Sequence, residues 1–495
     1  METKIYKSGV LLHPTALPGK WGIGELGPQA YKFVDDLVEM GQSYWQILPL
    51  GPLDNTFSPY SLLSTFAGNP LLISFEGLIE IGLLKTNEVG DYSQYDDSRI
   101  DYEPVVVQRM EVLYKMCANF QQRASQDLIV EFTAFCNNQK DWLEDYSNFC
   151  ALRKANKNES WNHWNPENEG QVVDIQNEKV LQFMFHIQWN ELKSYCHERG
   201  ILIIGDMPIY VSHDSADVWA KPQLFQLDKQ GNKLAEAGCP PCEFHNEGQV
   251  WGNPLYDWDV HLDTNFDWWM SRFCKLFEMV DIIRLDHFIG FSKYWELPAN
   301  SQTAHDGHWE DVPGSRLFDK LFERFENPKI IAEDLGDVTE DIIRLRNKYK
   351  FPGMRVLHFE FGEQVESIKS FPYNSVTYTG THDNNTSLGW LNEFDDSGKN
   401  NINNPINSSE VENHWKLIDH ALQSGSRRTI IPIQDILGLD EDSRFNKPGT
   451  LSKNNWSWRF EDFQLTVEVK SKIRQLTNHH HRLLQVPSES LEVEL

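Results

Sequence analysis

Asp206, Asp286, Glu333, Asp383 and Asp435 each stand at or just after the end of a short apolar run. Most bring a second polar residue with them: Arg284 with Asp286, Glu333 with Asp334, His382 with Asp383, Gln434 with Asp435. Two chemistries need converging carboxylates. One is coordination of a divalent cation by hard oxygen ligands. The other is work on a glycosidic bond, which needs one ionised carboxylate and one protonated carboxyl, roughly 5 to 5.5 Å apart when configuration is retained. The neighbours favour sugar chemistry. Arg284 precedes Asp286 by two residues, so on a strand both side chains share a face, and the cation holds that Asp ionised as a nucleophile. Glu333 follows Ile330-Ile331-Ala332, an apolar setting that raises a carboxyl pKa and suits a proton donor. Any one of these acids alone reads equally as the N-cap of a following helix; together they define a face.

The elements that must position them are eight short buried-strand patterns: Gly9–Leu12, Tyr44–Leu48, Ile201–Gly205, Asp281–Leu285, Lys329–Ala332, Arg355–Phe359, Val376–Tyr378 and Thr429–Ile433. Parallel strands covered on both faces read as continuous hydrophobic runs. Eight of them with helical spacers predict an α/β fold, a (β/α)8 TIM barrel, whose active face lies at the C-terminal strand ends. Ahead of Ile201, the residues Val180, Phe183, Met184, Ile187, Leu192, Tyr195 and Cys196 recur at helical spacing, a helix feeding a buried strand. Residues 1–57 hold the first strands and residues 58–178 a large, mainly helical insertion after the second. Within it Val105–Glu144 reads as helical. Residues 179–486 complete the barrel and include a long active-site loop, 207–266. Residues 395–409 read as an exposed loop and 487–495 as a frayed tail.

Composition narrows the partners. There are 45 Lys and Arg against 73 Asp and Glu, a formal charge of −28. Such a chain repels polyanions and anionic membranes, so no nucleic acid or membrane partner is expected, while a neutral substrate is unaffected. With 40% hydrophobic residues the chain is too apolar for disorder. No stretch is long and apolar enough to span a bilayer and the start is polar, so a cytoplasmic location is expected. Seven scattered cysteines do not form a secreted disulfide framework. Seventeen tryptophans suit stacking on sugar rings as well as core filling.

Several motifs occur in one order: Ser58-Pro-Tyr60 with Phe66-Ala-Gly-Asn-Pro70, Gly205-Asp-Met-Pro-Ile209, Trp251-Gly-Asn-Pro254, Asp281-Ile-Ile-Arg-Leu-Asp-His-Phe288, Ile331-Ala-Glu-Asp-Leu-Gly336 and Thr379-Gly-Thr-His-Asp-Asn384. From Ser8 to about Arg459 the chain resembles the amylomaltases, the 4-α-glucanotransferases of glycoside hydrolase family 77. The resemblance implies a barrel of the α-amylase clan and retaining transfer on maltooligosaccharides and longer α-1,4-glucans, with no required metal or organic cofactor. It implies Asp286 as nucleophile, Glu333 as general acid/base and Asp383 as the third acid on the sugar hydroxyls. Arg284 and His382 would hold the nucleophile and the donor ring, with Asp206 and His287 nearby. Tyr60, Trp251 and Phe361 would contact glucose rings, and Asn253 and Asn455 would supply polar loop contacts. By period two His287 turns away from the face of Asp286, so it reads equally as a packing residue.

The chain departs from the family pattern at Phe57, Ser61, Cys242, Glu243 and Ile289, around the acids rather than among them. A predominantly hydrolytic α-glucanase and a catalytically weak glucan-binding protein are therefore the alternatives, and a monomer or weak homodimer is expected. Cys239-Pro-Pro-Cys242 adds a Cys-x-x-Cys whose default reading is two reduced thiols.

Overall fold

A computed structural model describes residues 4–241, 247–360, 368–394 and 413–485. Phe361, Cys242, Glu243, the 395–409 loop and the 487–495 tail lie outside the described residues. Among the described residues the strands in chain order are β1 (Lys7–Leu11), β2 (Tyr44–Gln46), β3 (Leu202–Met207), β4 (Ala235–Cys239), β5 (Gln249–Pro254), β6 (Ile282–Leu285), β7 (Lys293–Pro298), β8 (His308–Asp311), β9 (Ile330–Ala332), β10 (Gly353–Val356), β11 (Ser375–Tyr378) and β12 (Arg428–Pro432).

β1, β2, β3, β6, β9, β10, β11 and β12 close into a parallel barrel in that order, β12 pairing back onto β1. The apolar runs form strands because both faces are covered: every residue of β6, β9, β11 and β12 is buried. Each fully buried Ile or Val there contributes about 1.5–3 kcal/mol through removal from water. Register then places the polar ends side by side. Asp206 pairs with Arg284 across β3 and β6, and Leu285 pairs with Ala332 across β6 and β9. Asp286 and Glu333 are the next residues along the latter pair.

The barrel strands begin or end one or two residues from their predicted bounds, and one departs further. The run Arg355–Phe359 is not a strand throughout: β10 begins at Gly353 and ends at Val356, and Leu357–Glu360 is a helical turn. The cause lies next door. Asp334 accepts the Met354 amide at 2.7 Å and an ion pair from Arg346, and a Cβ on Gly353 would sit 2.6 Å from both groups. Only glycine admits that carboxylate, so pairing starts there.

The stretch Val105–Glu144 is also not one helix. It is divided into Tyr102–Arg123, Gln126–Asn138 and the beginning of Lys140–Ala155. Ser125 makes the first break by capping the second helix through Leu128, and Gln139 makes the other. The helix Val172–Glu198 packs on them and buries Val180, Phe183, Met184, Leu192 and Cys196 before β3. No helix among the described residues is long and apolar enough to cross a membrane.

A second sheet, which the sequence patterns do not signal, has the antiparallel order β5-β4-β7-β8. It joins the 207–266 excursion to residues after β6 and carries Trp251.

Candidate active site

Arg284 is the hub of the site. It is 3% exposed, and its Nη1 donates to Asp206 Oδ1 at 2.8 Å, Asp206 Oδ2 at 2.6 Å and Asp286 Oδ1 at 3.0 Å. The first pair follows from cross-strand register and the second from the i, i+2 face of a strand. A guanidinium this buried is tolerable only because two carboxylates compensate it.

From Asp206 the network continues outward. Tyr60 Oη donates to Asp206 Oδ2 at 2.7 Å, so it accepts from His382 Nε2 at 2.8 Å. The Tyr60 and His382 rings stack at 5.3 Å and 16°. His382 Nε2 also reaches Asp383 Oδ2 at 3.3 Å, and Asn446 donates to Asp383 Oδ1 at 2.6 Å. A chain of polar contacts thus joins Asp383, His382, Tyr60, Asp206, Arg284 and Asp286.

Glu333 stands apart from that chain. Its Oε2 accepts the His287 amide at 2.7 Å, while its own amide donates to the Leu285 carbonyl at 3.0 Å. Burial raises the Glu333 carboxyl well above its usual range; the Arg284 charge opposes this and the Asp286 charge adds to it. Burial also raises Asp286, to about 6, with Arg284 pulling down against it. Asp383 moves the other way. Burial raises it, but the His382 charge and hydrogen bonds from His382 and Asn446 outweigh burial and leave it below the usual carboxylate range. Three acids therefore occupy three electrostatic settings: one shifted toward its protonated form, one paired with a guanidinium, one shifted toward its ionised form.

His287 does not follow the strand alternation. β6 stops at Leu285, and His287 takes a left-handed backbone (φ 48°) before a 3-10 turn. Its ring meets the edge of Trp251 at 4.8 Å and 86°. Trp251 is carried there by β5, whose Asn253 donates to the Val211 carbonyl at 2.9 Å. Asn455 pins its own loop, donating to Thr450 O at 2.9 Å and accepting from the Lys447 amide. Asn253 and Asn455 are thus placed as loop ties. Asp334 and Asp435 are also spent on structure. Asp435 accepts from Thr379, from the Ser387 amide and from the Ser387 hydroxyl, which fastens the loop holding His382 and Asp383. Among the described residues no group of three or more His, Cys, Asp or Glu is arranged to hold a metal ion.

Sequence reasoning missed three neighbours. Arg444 donates to the Asp383 carbonyl at 2.6 Å, and Asn446 holds that residue's carboxylate; neither has a local motif. His13 does have a signal, since it is the polar residue at the end of the first strand. It is buried and held down to about 3 by burial and by His382. His13 and His382 line one recess with Gln434, Arg444 and Phe445.

Two of the departures from the family pattern, Phe57 and Ile289, pack near this core. Phe57 stacks on Tyr102 at 4.8 Å and 7°. Ile289 is buried, and the nearest neighbour a Cβ on Gly336 would meet, at 3.9 Å, is the Ile289 side chain, beside the loop that follows Glu333.

Comparison with known proteins gives the same answer as the geometry. The model of glycoside hydrolase family 77, described as 4-alpha-glucanotransferase, matches residues 12–466. A 4-alpha-glucanotransferase of Synechocystis sp. is 40% identical over 494 residues, covering 96% of this chain and 98% of that protein. One from Thermus thermophilus is 38% identical, with 96% and 99% covered. The structure of amylomaltase from Streptococcus agalactiae in complex with acarbose superposes with a TM-score of 0.91 at 37% identity, covering 97% of this chain and all of that one. A barrel with its acids at the strand ends, matched along nearly its whole length, places this chain in glycoside hydrolase family 77, the 4-alpha-glucanotransferases.

Proposed function

We propose that this chain moves α-1,4-glucan segments between maltooligosaccharides by a retaining double displacement. Asp286 is the nucleophile, Glu333 the general acid/base and Asp383 the acid that binds donor-ring hydroxyls. The observation that carries the assignment is the contrast between neighbouring strand ends: Asp286 pairs with Arg284 at 3.0 Å, while Glu333 is a half-buried carboxyl with no cation among the described residues hydrogen-bonded to it, shifted toward its protonated form by desolvation.

In the first half reaction Glu333 gives its proton to the glycosidic oxygen while an Asp286 oxygen attacks the anomeric carbon. The bond to the leaving oxygen breaks and the reducing-end fragment departs as an alcohol. In the second, the Glu333 carboxylate takes the proton of an acceptor 4-hydroxyl, whose oxygen displaces Asp286 and restores the original configuration. Tyr60, Trp251 and His287 supply ring contacts, and Arg284 keeps Asp286 ionised between turnovers. Asp206 serves by anchoring Arg284. The acidic surface leaves neutral glucans as partners, and oligosaccharides of the acarbose type would compete for the cleft.

The test is the product ladder from purified protein and maltotriose. Glucose together with longer oligomers, lost in Glu333→Gln, is the expected result. Glucose and maltose alone would establish hydrolysis instead, and glucan binding without turnover would establish a binding protein.

A further inference from the structure

Trp456 is 7% exposed and adopts a left-handed backbone, φ 64°, which a bulky side chain rarely takes. Such conformations persist only where the surroundings over-determine them, and they cluster at functional sites. Two hydrogen bonds fix this one. The Trp456 amide donates to the Phe445 carbonyl at 2.6 Å, and Tyr102 Oη donates to the Trp456 carbonyl at 3.1 Å. The first ties it to the loop whose Arg444 and Asn446 hold Asp383. The second ties it to the first long helix of the insertion, on the ring that Phe57 covers.

The indole is thereby driven against two site residues at once. Its ring lies 5.7 Å from Tyr60 and 6.0 Å from His382, the two rings that stack on each other, with Phe445 at 5.8 Å behind it. Tyr60 and His382 are the joints of the polar chain from Asp383 to Asp206. A ring touching both of them sets their tilt, and that tilt determines whether one hydroxyl can donate to Asp206 and accept from His382 together.

We infer that Trp456 is a positioning residue for transfer: held left-handed between the insertion and the Asp383 loop, it aligns the Tyr60–His382 stack on which the donor ring is seated. This rests on the function proposed above.

Trp456→Gly accepts φ 64° without strain but removes the whole side chain and leaves a cavity, while Trp456→Phe keeps a smaller ring. Tyr102→Phe removes the hydroxyl that holds the Trp456 carbonyl. Each is assayed with maltotriose for kcat and KM and for thermal midpoint, beside Leu143→Ala, a core truncation in the insertion that lowers stability without touching the site. The expected result is a fall in kcat of about 100-fold for Trp456→Gly, as a misplacement near 1 Å costs, with KM changed far less. Trp456→Phe should recover part of it, and Tyr102→Phe should lose less than Trp456→Gly. Leu143→Ala should lower the midpoint with kcat intact. The inference is overturned if Trp456→Gly keeps wild-type kcat, or if kcat falls in Leu143→Ala in proportion to its midpoint. Absence of transfer in the unmodified enzyme is a different outcome, and it would overturn the proposed function.

Discussion

Glu333 at the barrel mouth and Glu178 in the helical insertion are both carboxyls raised by burial, and only one has the surroundings of a catalyst. Glu178 sits on the helix Val172–Glu198 and accepts the Tyr114 hydroxyl at 3.3 Å. Burial lifts it to about 7, with the Tyr114 hydrogen bond and the Lys154 charge opposing. Its surroundings include Cys150 and Tyr146, which burial raises and to which its charge adds. Glu178 also feels an acid and a cation, but these are Asp174 and the exposed Lys154 paired with each other; Glu333 has Asp286 and the buried guanidinium of Arg284 at the adjacent strand end. A raised pKa makes a proton donor; a second acid held in the opposite state beside it makes a site.

The comparison breaks first at the acids themselves. Glu333→Gln should cost about 10³ to 10⁴ in kcat for transfer, the scale of a general acid/base, while Glu178→Gln should leave kcat unchanged. Initial rates with maltotriose decide it, and equal losses in the two variants would remove the distinction drawn between them.

Arg284 sharpens the same comparison, because the cation near Glu178, Lys154, is exposed and paired with Asp174, whereas Arg284 is buried on Asp286. In the wild type, kcat/KM should fall as pH drops below about 6, where Asp286 takes up a proton. Arg284→Gln removes the charge that lowers Asp286, so that limb should move up by about one unit or more. Leaving Asp206 and Asp286 unpaired should also cost about 3–5 kcal/mol of stability, seen in denaturant unfolding. An unmoved acid limb in a folded Arg284→Gln variant would show that the guanidinium does not set the Asp286 pKa.

The barrel was legible because its strands are buried on both faces: runs such as Ile282–Leu285 carry their own signal, and strand-end acids follow the fold's polarity. What the patterns could not reveal depended on remote pairing. β4 pairs with β7 across more than fifty residues, and its Ala-Glu-Ala-Gly-Cys run has no β-branched residue to mark it. The start of β10 is set by Asp334, a contact that exists only once the barrel closes. His287 escaped the period-two rule because the strand ends at Leu285 and the backbone turns left-handed two residues later, where alternation no longer holds. Within the site, Arg284 with Asp286 was readable as an i, i+2 pair, whereas Asn446 and Arg444 reach Asp383 from more than sixty residues away.

The smallest expected effect lies in the insertion and concerns stability alone. Between the ordinary Glu value of 4.5 and the folded value of about 7, the native state binds more proton at Glu178 than the unfolded chain does. Stability therefore falls as pH rises through that window, and above about 7 the whole cost of burying the charge is present. A shift of that size corresponds to about 3 kcal/mol, an upper value because water and relaxation soften it. Glu178→Gln keeps an acceptor for Tyr114 and carries no charge. Its thermal midpoint should exceed that of the wild type at pH 8 and approach it at pH 5, where Glu178 is largely protonated in the native state. A midpoint difference that stays constant between pH 5 and pH 8 would mean that Glu178 is not buried in its protonated form, and that its likeness to Glu333 ends at its chemistry.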